Sequence, residues 1–391
     1  MPPKPLALTW SLSTISGYGI YGLQLALQFF RRGGEKFIPT FEPGPTLMPT
    51  LTQIRIEPVL ALGHKISKLL RENPNERFTF DHPVLYAVGN ECAGFSGQDR
   101  VTGSRNVGCA AIEHCAFSAR ARDYAKNYDV LIAISRWNER FLKSLDVGPV
   151  HLCLQGIDTS LFMPGPRTGL WGDRFIIFSG GKFEFRKGQD IVIEAFKRFH
   201  ARHPEALLVT CWQNFMPLPL EPFQMAGYCQ TLPELHDPDG FQFNPWLLAM
   251  GLPAGSFVNI SYTPNMLMPS VLRECDAAIF PNRCEGGTNL VAMEAMACGV
   301  PTFVSNNTGQ KDLVDLLGCG ALTSQRAVRV PASSLSVDDW GETDPDEIVA
   351  ALEGLYTSRA QARAQALEVA ARIKAWDWGP QNEKLLHVAC D

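Results

Sequence analysis

The sequence predicts an α/β protein of two domains, and three observations carry that reading. Short apolar runs bounded by polar, Gly or Pro residues alternate with helical patterns: residues 6–10, 36–40, 83–88, 128–134 and 150–154, then 174–178, 206–212, 257–262, 277–281 and 302–305. Such alternation points to parallel strands joined by helices. The length of 391 residues is enough for two domains that each bury a core. Residues 165–173, GPRTGLWGD, carry the Gly/Pro punctuation of an interdomain linker.

Composition narrows the class. A hydrophobic content of 46% with 19% charged residues is that of a globular protein. No run of 18 apolar residues is present, so no membrane-spanning helix is expected. The start, MPPKPLALTWSLS, reads as a first strand rather than a secretory signal. The 11 cysteines lack CxxC spacing and fit buried, reduced thiols in a cytoplasmic protein better than disulfides or a zinc site. The net charge of −5 is uneven: residues 1–160 carry 17 basic against 14 acidic side chains, the remainder 18 against 26. The basic half suits peripheral contact with an anionic membrane surface or an anionic acceptor, although +3 over 160 residues is also an ordinary value. No dense basic patch with interleaved aromatics is present, so no nucleic-acid partner is expected.

The chain is organised around residues 276–309, DAAIFPNRCEGGTNLVAMEAMACGVPTFVSNNTG. The apolar run 277–281 reads as a buried strand. Residues 290–297 are strong helix formers, stopped by Gly299 and Pro301, and 302–305 form the next strand. Between strand and helix lies Cys284-Glu285-Gly286-Gly287-Thr288-Asn289. Unpaired N–H groups and the positive end of the dipole make the helix start a seat for phosphate. Glu285 and Glu294 frame it, and a carboxylate accepts paired hydrogen bonds from neighbouring hydroxyls. Phosphate and hydroxyl ligands together describe a sugar-nucleotide.

These residues resemble the retaining glycosyltransferases of the GT-B fold, family 4 (group 1). The family pattern is Glu-Gly, a short run, then Glu-Ala-Met-Ala-x-Gly-x-Pro. Here it reads Glu285-Gly286, then Glu294-Ala295-Met296-Ala297-Cys298-Gly299-Val300-Pro301, with eight residues between the glutamates where the family has seven. A second segment, Gly181-Lys182-Phe183-Glu184-Phe185-Arg186-Lys187-Gly188, is similar to the family's Gly-Arg-Leu … Lys-Gly. Lys182 stands where Arg is usual, Lys187 matches the Lys, and Arg186 is an extra cation. The turn Gly156-Ile157-Asp158 … Phe162 and Trp378 before the last helix also fit. The resemblance implies two Rossmann-like domains facing across a cleft: an N-terminal acceptor domain over 1–164, a nucleotide-sugar domain over 174–375, and a C-terminal helix, 379–391, crossing back to the first.

It further implies the roles. Lys182, Lys187 and Arg186 neutralise the donor diphosphate, the backbone of Asn289, Leu290 and Val291 binds phosphate oxygens, and Glu294 holds the ribose. Glu285 with Gly286, Gly287 and Thr288 meets sugar hydroxyls. The leaving phosphate takes the acceptor proton on the face from which it departs, with retention of anomeric configuration. The co-substrate is a nucleotide-diphosphate sugar, and the acceptor a hydroxyl of a glycan, a lipid-linked or a small molecule. No cofactor or metal is expected, and Asp237-Pro238-Asp239 reads as a turn. The same fold also hosts non-catalytic carbohydrate- or nucleotide-binding descendants, which the longer glutamate spacing and Lys182 would suit.

In the first half, Gly17, Gly19 and Gly22 spell GxGxxG. Six residues separate them from the preceding strand, which argues against a dinucleotide fingerprint. Gly17 and Gly19 are either the loop that approaches donor phosphates and acceptor in GT-B enzymes or a strand-to-helix turn before a helix over 23–30. Asn90 and Glu91 follow a strand end, where α/β folds bind ligands. Glu113 and His114 close the segment 106–114 and are either acceptor-side residues or structural. Ser135 reads as the N-cap of a helix. The Pro-rich stretch 213–256 reads as an irregular insert, functional or mobile.

Overall fold

The computed structural model describes residues 5–34, 36–44, 48–94, 97–214, 220–236, 240–260, 263–329 and 336–390. It divides into two compact units: Met1–Gly156 with Pro264–Met266 and Trp376–Asp391, and Ile157–Thr263 with Leu267–Ala375.

The first unit is built on six parallel strands: β1 (Leu6–Leu8), β2 (Phe37–Pro39), β3 (Val84–Val88), β4 (Asn106–Ala110), β5 (Val130–Ala133) and β6 (Val150–Leu152), in spatial order β2-β1-β3-β4-β5-β6. The central strands are buried throughout, which is why they read as unbroken apolar runs. Helix α1 (Gly17–Arg31) begins six residues before the predicted start. The signal is Ser16, an N-cap whose hydroxyl accepts from the Gly19 N–H at 3.0 Å; three glycines in the first two turns masked the helix. Ser135 caps Arg136–Ser144 as predicted, accepting from Asn138 N at 3.1 Å. The final helix, Trp378–Cys390, packs on α1, and Trp378 stacks on Tyr21 with ring centroids 5.3 Å apart. Gly156 permits this, because a Cβ there would lie 2.6 Å from the Trp378 Cα.

The second unit has six parallel strands: β7 (Ile176–Lys182), β8 (Leu207–Gln213), β9 (Phe257–Asn259), β10 (Ala277–Phe280), β11 (Thr302–Ser305) and β12 (Gly320–Leu322), in order β9-β8-β7-β10-β11-β12. That is the 3-2-1-4-5-6 order of a Rossmann domain. Helices α2 (Gln189–His200) and α3 (Leu290–Ala297) follow β7 and β10. The apolar positions 191, 192, 195, 196 and 199 of α2 are all buried.

Residues 165–173, expected as a linker, are tied to this unit. Arg167 Nη2 donates to Asp276 Oδ1 at 2.9 Å and to the Cys275 carbonyl at 3.0 Å, and Gly169 N donates to Glu274 Oε2 at 3.1 Å. Within the Pro-rich stretch, the helices Glu221–Met225 and Phe243–Ala249 bring Phe223, Phe243 and Trp246 onto Phe183, at centroid distances of 4.8, 5.0 and 5.3 Å. This part is a buttress under the segment that follows β7, not an irregular loop. Asp237-Pro238-Asp239 lies outside the described residues. No described helix is long and apolar enough to cross a membrane.

Candidate functional site

In the second unit the strand order reverses between β7 and β10, and parallel α/β sheets bind ligands outside the carboxyl ends of the strands at that reversal. Two segments meet there: residues 180–188 after β7 and 281–289 after β10. Arg283 N donates to the Arg186 carbonyl at 2.7 Å, fastening one to the other.

The first segment is fixed from below. Phe183 is fully buried in the aromatic cluster, its carbonyl accepts from Asn214 Nδ2 at 2.8 Å, and the Lys182 carbonyl accepts from Gln189 Nε2 at 2.8 Å. Glycine is required at both ends. Gly181 has φ +126°, and Gly188 has φ +68° with a would-be Cβ 2.3 Å from the Pro281 carbonyl oxygen. Between them the side chains alternate, Phe183 and Phe185 inward, Lys182, Glu184 and Arg186 toward the strand ends.

The second segment rests on a buried arginine. The Arg283 side chain is fully enclosed, with Nη1 and Nη2 on the two Asp190 carboxylate oxygens at 2.8 and 2.7 Å, Nε on Glu342 at 2.9 Å, and Nη1 also on the Phe185 carbonyl at 2.8 Å. Its guanidinium lies 4.0 Å from the Phe185 ring centroid. Burial works against its charge, but Asp190 and then Glu342 outweigh it and hold the guanidinium protonated. Glu285 is buried next to this base; its N–H donates to Thr308 Oγ1 at 2.9 Å and its carbonyl accepts from Gly309 N at 2.9 Å. Asn289 and Thr308 adopt left-handed backbone, φ +68° and +36°, strain that the surrounding bonds must hold. Asn289 caps α3 and donates from Nδ2 to Gln310 Oε1 at 2.9 Å.

Together the segments build an alternating chain of charge. Lys182 Nζ lies 2.5 Å from Glu184, Arg186 Nε lies 2.7 Å from Glu184, and Arg186 Nη1 lies 3.1 Å from Glu285. Lys187 and Asn282 also donate to the Glu285 carboxylate. Burial would raise the Glu184 carboxyl, yet Arg186 and Lys182 outweigh it and hold the group below the usual carboxylate range. Gly180 and Gly181 lie between α3 and Lys187: a Cβ at Gly180 would meet Val291 Cγ1 at 2.9 Å, and one at Gly181 would lie 3.9 Å from Lys187 Cδ. Glu294 is buried on α3. Burial first, then the Glu294 carboxylate, pushes the Cys211 thiol up to about 12, which places Glu294 near the end of β8. The second unit thus gathers Lys182, Arg186, Lys187, Glu285, Gly286, Gly287, Thr288, Asn289, Leu290, Val291 and Glu294 around the ends of β7, β8 and β10.

In the first unit, Gly17 and Gly19 stand in the first turn of α1 rather than in a loop. A Cβ at Gly19 would lie 1.9 Å from Ser13 Oγ and one at Gly22 2.7 Å from Trp10 Nε1, so close packing accounts for these two glycines, while the Gly17 position is open. Tyr18 spans two strand ends, donating to the carbonyls of Val88 at 3.1 Å and Cys109 at 2.8 Å. Beside it Asn90 Oδ1 accepts from Glu113 N at 2.7 Å, and Ser118 donates to Glu91. His114 is buried, with Nδ1 lacking a hydrogen-bond partner. Burial lowers its affinity for a proton, with Glu91 pulling the other way. Among the described residues no group of three or more His, Cys, Asp or Glu side chains is placed to hold a metal.

Sequence reasoning passed over Arg283, Asp190, Glu342, Asn282, Thr308 and Glu184. Glu184 lay inside a segment already singled out, and Arg283 stood two residues before Glu285; the partners of Arg283 are 93 and 59 residues away.

Residues 262–385 match the family described as Family 4 Glycosyltransferase in conflict systems. The chain is 24% identical over 352 residues to the GDP-mannose-dependent α-(1-6)-phosphatidylinositol monomannoside mannosyltransferase of Mycolicibacterium smegmatis, covering 84% of this chain and 79% of that protein. Among solved structures, sucrose-phosphate synthase from Thermosynechococcus elongatus superposes with a TM-score of 0.65 at 15% identity, covering 98% of both chains. The Anabaena protein HepE in complex with UDP-glucose gives 0.63 at 14% identity, covering 99% of both.

Proposed function

The chain is a glycosyltransferase of GT-B fold and family 4 type that uses a nucleotide-sugar donor, and on that premise we propose that it retains anomeric configuration while transferring to a hydroxyl of a glycan or lipid-linked acceptor. The observation that carries the site assignment is the cluster of three cations, Lys182, Arg186 and Lys187, at the strand-order reversal beside the N-terminus of α3. The diphosphate lies against these cations and the N–H groups of Asn289, Leu290 and Val291. Glu294 accepts the ribose hydroxyls. Glu285, with Gly286, Gly287 and Thr288, meets the sugar, its carboxylate steadied by Lys187, Arg186 and Asn282.

As the bond from the anomeric carbon to the phosphate oxygen breaks, negative charge grows on the departing diphosphate, where preplaced cations stabilise it without reorganising. The acceptor oxygen bonds to the anomeric carbon from the same face and its proton passes to the leaving phosphate. No bound metal is invoked, the cations supplying the charge. On the acceptor side, Gly17 and Gly19 bring the start of α1 close to the ligands, and Glu113 and His114 orient the incoming hydroxyl. Exposed Leu51 and Ile54 beside Arg55 support peripheral contact with an anionic membrane surface, where a lipid-linked acceptor would lie. Eleven free cysteines support a reducing, cytoplasmic compartment.

The test is product analysis with UDP-, GDP- and ADP-sugars, reading the anomeric proton coupling of the product. Retention is expected; inversion overturns the mechanism. Glu294→Ala is expected to raise the donor KM by about 10- to 100-fold, since a hydrogen bond to a charged group contributes about 1.5–3 kcal/mol, with a smaller change in kcat.

A further inference from the structure

We propose that Glu184 is a built-in counter-anion of the diphosphate-binding cations, occupying the charge that the donor would otherwise satisfy and so setting how tightly donor and departing nucleoside diphosphate are held. This rests on the donor reading above and adds a residue which that reading does not use.

Three observations lead to it. Glu184 lies on the side of its segment that faces the cations, with Lys182 Nζ at 2.5 Å and Arg186 Nε at 2.7 Å from its two oxygens. Arg186 is shared, its Nη1 reaching Glu285 at 3.1 Å while Nε stays with Glu184. The Glu184 and Arg186 side chains are 11% and 13% exposed, so solvent screens the pair little, whereas Lys182 is 33% exposed. The neighbours Phe183 and Phe185 are both buried, which pins the backbone on either side of Glu184. The carboxylate therefore cannot swing away with its loop, and the cation side chains must do the adjusting.

The charges follow from this. Lys182, Arg186 and Lys187 face Glu184 and Glu285, leaving one net positive charge for a ligand that brings two or three negative ones. Carboxylate and phosphate oxygens compete for the same N–H donors. A diphosphate must share Lys182 and Arg186 with Glu184, which weakens binding relative to a site without that acid. The same competition helps the nucleoside diphosphate product to leave, and in the empty protein it relieves repulsion among three cations in one short segment.

The experiment compares wild type with Glu184→Gln, which keeps the shape and removes the charge. Calorimetric titrations use inorganic pyrophosphate, UDP, GDP and ADP, with uridine, guanosine and adenosine as uncharged controls. Glu184→Gln is expected to bind pyrophosphate and the preferred nucleoside diphosphate at least ~5-fold tighter, the equivalent of one partly buried ion pair, with nucleoside affinity unchanged. In turnover, kcat and donor KM should fall together as product release slows. If Glu184→Gln does not fold, Glu184→Asp, which withdraws the charge from the cations, should tighten pyrophosphate binding in the same direction. Equal or weaker binding in the variant that folds overturns the inference, because a residue that only positions Lys182 and Arg186 would cost affinity when altered. Should wild type bind while Glu184→Gln binds no tighter, Glu184 alone is misread. If neither binds pyrophosphate or any diphosphate, the donor site falls with it.

Discussion

Lys187→Ala is expected to lower sugar transfer by roughly 10²- to 10³-fold in kcat, the range seen when one preplaced donor to a developing negative charge is removed. Lys187 ends the segment held by Phe183, Asn214 and Gly188, so its ammonium is aimed by a rigid base rather than by chance contacts. It also donates to Glu285, which in the variant keeps only Arg186 and Asn282 of these three partners. Two losses combine: charge stabilisation on the leaving diphosphate, and positioning of the carboxylate at the sugar. Steady-state kinetics separate them, since the first lowers kcat and the second raises donor KM as well. Lys187→Arg should recover little, because a guanidinium needs a fork of acceptors where an ammonium needs a point. The variant should melt close to wild type; activity retained within a few-fold would remove Lys187 from the mechanism.

Arg283→Met acts on stability. It leaves Asp190 and Glu342 facing an apolar side chain, and Asp190 is itself fully buried. Breaking a buried pair from one side costs about 3–5 kcal/mol, mostly as the penalty of an uncompensated charge. For a domain the size of the second unit that corresponds to a melting temperature lower by about 10 °C. The Phe185 carbonyl and ring lose a partner too, so the segment that carries Lys187 loosens and pyrophosphate binding weakens. Arg283→Met with Asp190→Leu should recover part of the loss, since replacing both charges removes the unpaired one. Denaturant unfolding of the two variants checks this, and a single Arg283→Met that melts like wild type would contradict it.

The parts of the chain that were legible are those whose signal is local. Strand β11 and helix α3 fall on the predicted residues because an apolar run closed by Gly299 and Pro301 specifies both ends. Helix α1 was read too short because Gly17, Gly19 and Gly22 have low helix propensity, and their packing against Ser13 and Trp10 is a tertiary reason no propensity contains. Residues 165–173 look like a linker by composition, but Arg167 finds Asp276 109 residues away. The cations were visible as a motif, whereas Lys187 meets Glu285 across 98 residues. Glu184 was passed over for a different reason: attention went to the basic residues around it, and its weight depends on both neighbours folding back onto it.

The central claim, that the second unit grips a nucleoside diphosphate through Lys187 on one side and Glu294 on the other, is tested most directly by melting temperature. Wild type, Lys187→Ala and Glu294→Ala are heated with UDP-, GDP- and ADP-sugars in turn. A ligand at 100 times its dissociation constant stabilises the native state by about 2.7 kcal/mol, so one base is expected to raise the wild-type melting temperature by several degrees and each variant by much less. A panel that shifts none of the three proteins, or shifts both variants as far as wild type, would contradict the account.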